Sequence, residues 1–290
     1  MTNQMTMQSA QRNLQTSASR MNELQERATT LDKIGKPSDD PTGTAESLRV
    51  RGQQAATAQF TRNADDGNSW LSVADEALSS AHDILAKARD LTVQGANTGA
   101  LSPDAREAIA VQLDGLRTDL LNTANRSFNG RSVFAGTSDA GAAFAPDYSF
   151  TGVAGSSVTR RVGADTVVRV DADGAAAFGD GASSAFALLD GIAADLRAGV
   201  NVGSRLAGLD ERLAAVRGTQ GVVGANQTQI LRAKDTLMDT TTFLETQRSG
   251  IEDLDLGQAI LDLKMQQTAY QAALGVTASV LQPTLMDFLR

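Results

Sequence analysis

Met7, Leu14, Met21 and Ala28 recur every seven residues, and Ala10, Ser17, Leu24 and Leu31 follow three residues further along. That 3-4 spacing predicts a helix with a coiled-coil seam through about residue 33. The C-terminal segment carries the same spacing in Leu256, Ile260, Leu263, Gln267, Tyr270, Leu274, Thr277 and Leu281. Phe288 stays in register, although Pro283 is expected to kink the helix. Ala269, Ala272, Ala273, Val276 and Val280 add small or apolar surface elsewhere on it, so this helix is expected to touch more than one partner.

The cleanest row lies just before: Leu209, Val216, Val223, Ile230, Leu237, Leu244 and Ile251, all apolar at every seventh position. Its companion row turns polar at Gln220, Gln227, Lys234, Thr241 and Arg248, which predicts a long helix with one narrow apolar edge. Gly218, Gly221 and Gly224 fall inside it, readable either as a weak spot or as room for another backbone. Leu71, Ala74, Leu78, Ala81, Leu85 and Ala88 predict helix within residues 44–95, and Ile109, Leu113, Leu116 and Leu120 predict another. Ser102 is the expected N-cap of that second helix and Pro103 its first residue, with Asn129-Gly130 as its stop.

Between these helices stand two interruptions. Gly35 to Pro41 carries two prolines and several capping side chains, so Pro37, Ser38, Asp39, Asp40 and Pro41 are expected to form a turn into a new element. From Asp139 to Asp195 there is no Glu, Lys, Gln or Met, and alternation in Ser157–Val162 and Thr166–Val170 predicts short strands. Asp171-Ala172-Asp173-Gly174 reads as a hairpin turn there. Helix is expected to return near Ser184 to Ala198.

Composition narrows the function. Only 4% of the 290 residues are aromatic, so the core is expected to be built mostly from Ala, Leu and Val. A net charge of -8 with a pI near 4.7 leaves no basic field for nucleic acid. No stretch approaches the roughly 18 apolar residues of a membrane span, so no membrane insertion is expected. The start MTNQMTMQSAQRNLQ has neither a basic leader with a continuous apolar run nor a small-residue cleavage site. A cytosolic chain, or export without a cleaved signal, is expected.

Cysteine is absent and His82 is the single histidine, set within helical register, where a helix-surface residue is the expected role. Asp171 to Gly174 lacks the further ligands of a calcium loop. Gly35-Lys36 is followed by Pro37, not by the Ser or Thr of a phosphate loop, and no GxSxG elbow occurs. No catalytic, metal or cofactor site is expected, and no enzyme.

Several of these segments carry a resemblance. Lys36-Pro37-Ser38-Asp39-Asp40-Pro41, Asn129-Gly130-Arg131-Ser132-Val133-Phe134-Ala135-Gly136-Thr137, the strand-rich stretch from Tyr148 to Phe178, Gln266-Gln267-Thr268-Ala269-Tyr270-Gln271-Ala272-Ala273-Leu274 and Leu285-Met286-Asp287-Phe288-Leu289 resemble the flagellin superfamily. Within it they are more similar to the hook-associated branch than to filament flagellin. The resemblance implies a mainly α chain with a small β-rich insert, an elongated folded-back rod of long helices with an N- and C-terminal coiled coil. Its expected parts are 1–35 with 252–290, 36–135 with 184–251, and 136–183.

The resemblance further implies a structural subunit exported through the flagellar type III apparatus with an export chaperone. Outside the cell it would self-assemble into a ring or layer between hook-associated protein 1 and flagellin. The residues expected to carry assembly are Met7, Leu14, Met21, Leu24, Leu31, Leu256, Ile260, Leu263, Tyr270, Leu274, Leu281 and Phe288. A short filament flagellin stays open as an alternative. So do a type III needle-tip or translocator protein, and a cell-wall enzyme, which would need clustered acids in 139–195.

Overall fold

The structure is a computed structural model that describes residues 3–97, 101–153 and 155–281. The chain divides into two compact units, Met1–Ala56 with Thr240–Arg290 and Thr57–Asp239. In order, its elements are α1 (Asn3–Thr30), α2 (Pro41–Ala96), α3 (Pro103–Ala124), β1 (Ser127–Phe128), β2 (Arg131–Ser132), β3 (Thr159–Arg161) and β4 (Val167–Arg169). Then come α4 (Gly174–Phe178), α5 (Ala185–Arg197), α6 (Leu206–Glu252) and α7 (Leu256–Leu281). The division between units falls inside α2 and α6.

In the larger unit the predicted rows are the core. Leu71, Ala74, Leu78, Ala81, Leu85 and Ala88 of α2 are fully buried, as are Leu209, Val216 and Ile230 of α6. α2 and α6 run antiparallel, and the polar companion row of α6 meets polar partners on α2. Gln220 donates to Asp75 at 3.0 Å, Gln227 to Ser72 at 3.3 Å, and Lys234 pairs with Asp65 at 2.7 Å. These three polar side chains beside the apolar edge are therefore satisfied rather than stranded. α3 packs on α5, its N-cap Ser102 accepting from Ala105 N at 3.2 Å with Pro103 at the first position.

Residues 136–183 share this core rather than building their own. β3 and β4 form an antiparallel hairpin with Thr159 opposite Arg169, and its turn runs through Gly163 to Asp165, closed by Val162 N donating to Thr166 O at 2.9 Å. The expected turn at Asp171–Gly174 is instead a helix start: Asp173 caps α4, accepting from Ala176 N at 3.0 Å. Asp171 is buried and accepts from Val158 N at 2.8 Å and from Arg169 at 2.9 and 3.0 Å, tying the hairpin's open end. A short acidic side chain serves both caps and turns, so the pattern alone does not separate them.

Two features lie outside the sequence expectations. α3 ends at Ala124, and Asn129-Gly130 is the two-residue loop of the β1–β2 hairpin, with φ of 50° and 78°. That is the type I′ signature of Asn-Gly, which the flanking residues could have disclosed. Half of the aromatic residues, sparse overall, gather in one place: Phe144 lies 5.1 Å from Phe186, 5.8 Å from Phe178 and 5.4 Å from Phe150 between ring centroids. Tyr148 lies tilted against Phe186, 5.6 Å between centroids, and donates to Asp190 at 2.6 Å.

A Cβ on Gly218, Gly221 or Gly224 would meet nothing within 4 Å, so among the described residues no other element's backbone lies against them. We expect each Gly→Ala change to stabilise the isolated chain by about 0.5–1 kcal/mol, because a helix-interior glycine gains nothing here in return for its freedom. Thermal melting of the three single variants checks this. A lower melting temperature for any of them would show a backbone constraint at that site.

Candidate assembly surface

In the smaller unit α1 and α7 pack lengthwise. The inward residues of α1 are Ala10, Leu14, Ser17, Met21, Leu24 and Ala28, all half-buried, as the two predicted rows require. Those of α7 are Ala259, Leu263, Gln266, Tyr270, Ala273 and Thr277, again spaced by fours and threes. Gln266 Nε2 donates to Ser17 O at 3.1 Å and to Ser17 Oγ at 2.9 Å.

This seam is rotated from the row the sequence suggests. Leu263, Tyr270 and Thr277 face α1, whereas Leu256, Ile260 and Leu274 are 46%, 47% and 43% exposed. In this rotation Gln266 lies against Ser17 and donates to it, with the small Ala259 and Ala273 turned inward beside it. On α1, Met7 is 54% exposed. The side chain of Leu281, and all of Phe288, lie outside the described residues.

The rotation leaves apolar surface outward. Leu256, Ile260, Leu261, Met265, Leu274 and Val276 are all exposed on α7, and Met5 and Met7 on α1. A helix that is apolar on more than one side calls for more than one neighbour. The surface can bury helices. Among the described residues no cluster of His, Cys, Asp or Glu could hold a metal ion, and no helix is long and apolar enough to cross a membrane.

At the base of the pair α1 ends at Thr30, about three residues short of the predicted seam. Leu31 leaves the helix with φ 64°, and the chain reverses into a short antiparallel bridge between Asp32 and Asp253. Lys33 N donates to Glu252 O at 2.7 Å and Leu254 N to Leu31 O at 2.9 Å. The turn then forms as the sequence expects. Asp39 accepts from Lys36 N at 3.1 Å, and Asp40 caps α2 by accepting from Gly43 N at 2.9 Å, with Pro41 as the first helical residue. Pro37 and Ser38 are exposed within that turn.

Glu252 is the residue sequence reasoning missed. It is buried, and its carboxylate accepts from Arg51 at 2.7 and 2.9 Å, from Arg248 at 2.9 Å, and from the Ser47 hydroxyl. The Arg51 hydrogen bonds, helped by Ser47 and Arg248 against the opposing cost of burial, hold its carboxyl down to about 2. Ser47 and Arg51 stand one helical turn apart on α2, and Arg248 stands one turn before Glu252 on α6. Those spacings were readable, but the long-range pairing was not.

Comparison with known proteins places these helices. The profile of the bacterial flagellin N-terminal helical region matches residues 1–139, and that of the C-terminal helical region matches residues 206–289. Flagellar hook-associated protein 3 of Escherichia coli (strain K12) is 27% identical over 274 residues, covering 86% of each chain. A flagellin of Bacillus subtilis (strain 168) is 26% identical over 265 residues, also covering 86% of each. The crystal structure of flagellar hook associated protein-3 from Legionella pneumophila shares the fold, with a TM-score of 0.63 at 14% identity over 70% of this chain and 98% of that one. The matched regions include α1 and α7 as well as α2, α3 and α6, and the chain belongs to the bacterial flagellin family.

Proposed function

We propose that this chain is the structural subunit that joins the hook side of the bacterial flagellum to the flagellin filament. In this reading 1–35 with 252–290 form the assembly segment, 36–135 with 184–251 a helical shaft, and 136–183 an outer part. Subunits polymerise into a ring or layer, with hook-associated protein 1 on one side and flagellin on the other. Export proceeds through the type III apparatus with a chaperone and without signal cleavage.

The observation that carries the reading is the α1–α7 pair, satisfied internally by the Ser17–Gln266 seam yet apolar on the outside of α7. Such a pair gains its full stability only when neighbouring copies cover that face. Kinship with hook-associated protein 3 across most of both chains favours the junction over the filament. The Bacillus subtilis flagellin, matched over the same share, keeps a short filament flagellin as the second reading.

Removing the gene separates them. Cells that build hooks but release flagellin into the medium are the expected result. Normal attached filaments would overturn the junction role, and bare hooks with no flagellin in the medium would indicate a filament subunit.

A further inference from the structure

The joint between α1 and α2 combines two unfavourable features held shut by a few hydrogen bonds. Leu31 occupies the left-handed region at φ 64°, at the position after a helix where glycine or asparagine ordinarily stands. Its side chain is 51% exposed, so packing alone does not explain the conformation. What fixes it are two backbone bonds, Leu31 N to Arg27 O at 2.9 Å and Leu254 N to Leu31 O at 2.9 Å.

Next to it Asp32 stands across from Asp253, in a pair flanked by its hydrogen bonds rather than sharing them. That geometry brings opposite side chains closest, and like charges there repel. Arg248, 3.3 Å from Asp253, offsets part of the repulsion.

The same leucine has a second conformation written into the sequence. Ala10, Ser17, Leu24 and Leu31 are one heptad row, so a helical Leu31 would extend α1 and continue its inward face. Local pattern and observed backbone disagree at this residue, and such conflicts are expected at strained or functional sites.

We propose that residues 31–33 and 252–254 form a strained latch with a closed state, seen here, and an open state in which Leu31 joins the α1 helix and the Asp32–Asp253 bridge parts. Opening frees the α1–α7 pair from this bridge, and a second copy of the chain covering the outer face of α7 is the trigger. The trigger rests on the assembly reading above; the strain does not.

The test is hydrogen exchange on the full-length chain, verified as a monomer, read at the amides of Lys33 and Leu254. Leu31→Gly and Leu31→Asn accept a positive φ, and each should slow exchange at both amides roughly 5- to 10-fold. Leu31→Val, which tolerates that region worst, should speed it by a similar factor. Unchanged or faster exchange in both L31G and L31N overturns the latch, even if gene removal releases the filament. Slower exchange in those variants, in a chain whose removal leaves filaments attached, upholds the latch and rejects the junction role instead. In assembly, L31G and L31N should polymerise more slowly than the parent chain.

Discussion

Replacing Glu252 by alanine should destabilise the smaller unit by about 2–3 kcal/mol while leaving the core of the larger unit intact. Glu252 is buried with two arginines and a serine aimed at it, and removing one partner from a buried charged cluster costs about 3–5 kcal/mol when all members are buried. Arg51 keeps 62% of its side chain in water, which lowers the expectation. The loss should be read as faster amide exchange across α1 and α7, with little change at the Phe144 cluster. Equal loss in both units would show that the carboxylate supports the whole fold.

Acid should imitate the substitution. The folded carboxyl of Glu252 titrates at about 2, below the ordinary 4.5 of its unfolded state. Its contribution is therefore complete above about pH 4.5 and fades as pH falls from there toward 2. Arg248 bonds both Glu245 and Glu252, and Glu245 is also held below its ordinary value by Arg248, so both acids act in the same direction. Asp32, Asp253 and Lys33 border the same cluster, and none of them replaces the Arg51 bond. Glu252→Gln should flatten the pH dependence of α1–α7 exchange in that window. An unchanged slope would place the acid sensitivity elsewhere.

The second large effect belongs to the outer face of α7. Ile260→Asp with Leu261→Asp should leave the monomer within about 0.5 kcal/mol of the parent, since both side chains are exposed, and should abolish assembly. If neighbouring copies bury that face, each carboxylate there costs several kcal/mol, and two weaken association by about 10³-fold or more. Circular dichroism and melting report the monomer; attached filaments in complemented cells report assembly. Ala273→Asp, on the inward face, is the control that should damage both. Normal filaments with the double aspartate would remove this face from the interface.

Much of the helical architecture was legible because its causes are local. The rows Leu71 to Ala88, Ile109 to Leu120 and Leu209 to Leu244 are buried along the faces the spacing indicates. Ser102 with Pro103, and Asp40 with Pro41, open their helices as their capping chemistry requires. The short strands were visible as alternation, although Asp173 capped a helix where a turn was expected.

Periodicity by itself determined which helices exist and which stripe of most of them is apolar, because a stripe needs only the chain's own 3.6-residue repeat. Only the tertiary structure decided how α7 is rotated against α1, because a cross-helix bond such as Gln266 to Ser17 depends on the facing helix and not on the chain's own repeat. Tertiary contacts likewise decided that Leu31 leaves its row and that Glu252 gathers Ser47 and Arg51, partners 205 and 201 residues away. Contacts at such separation leave no period in the sequence, and whichever satisfies buried polar groups prevails over the local pattern.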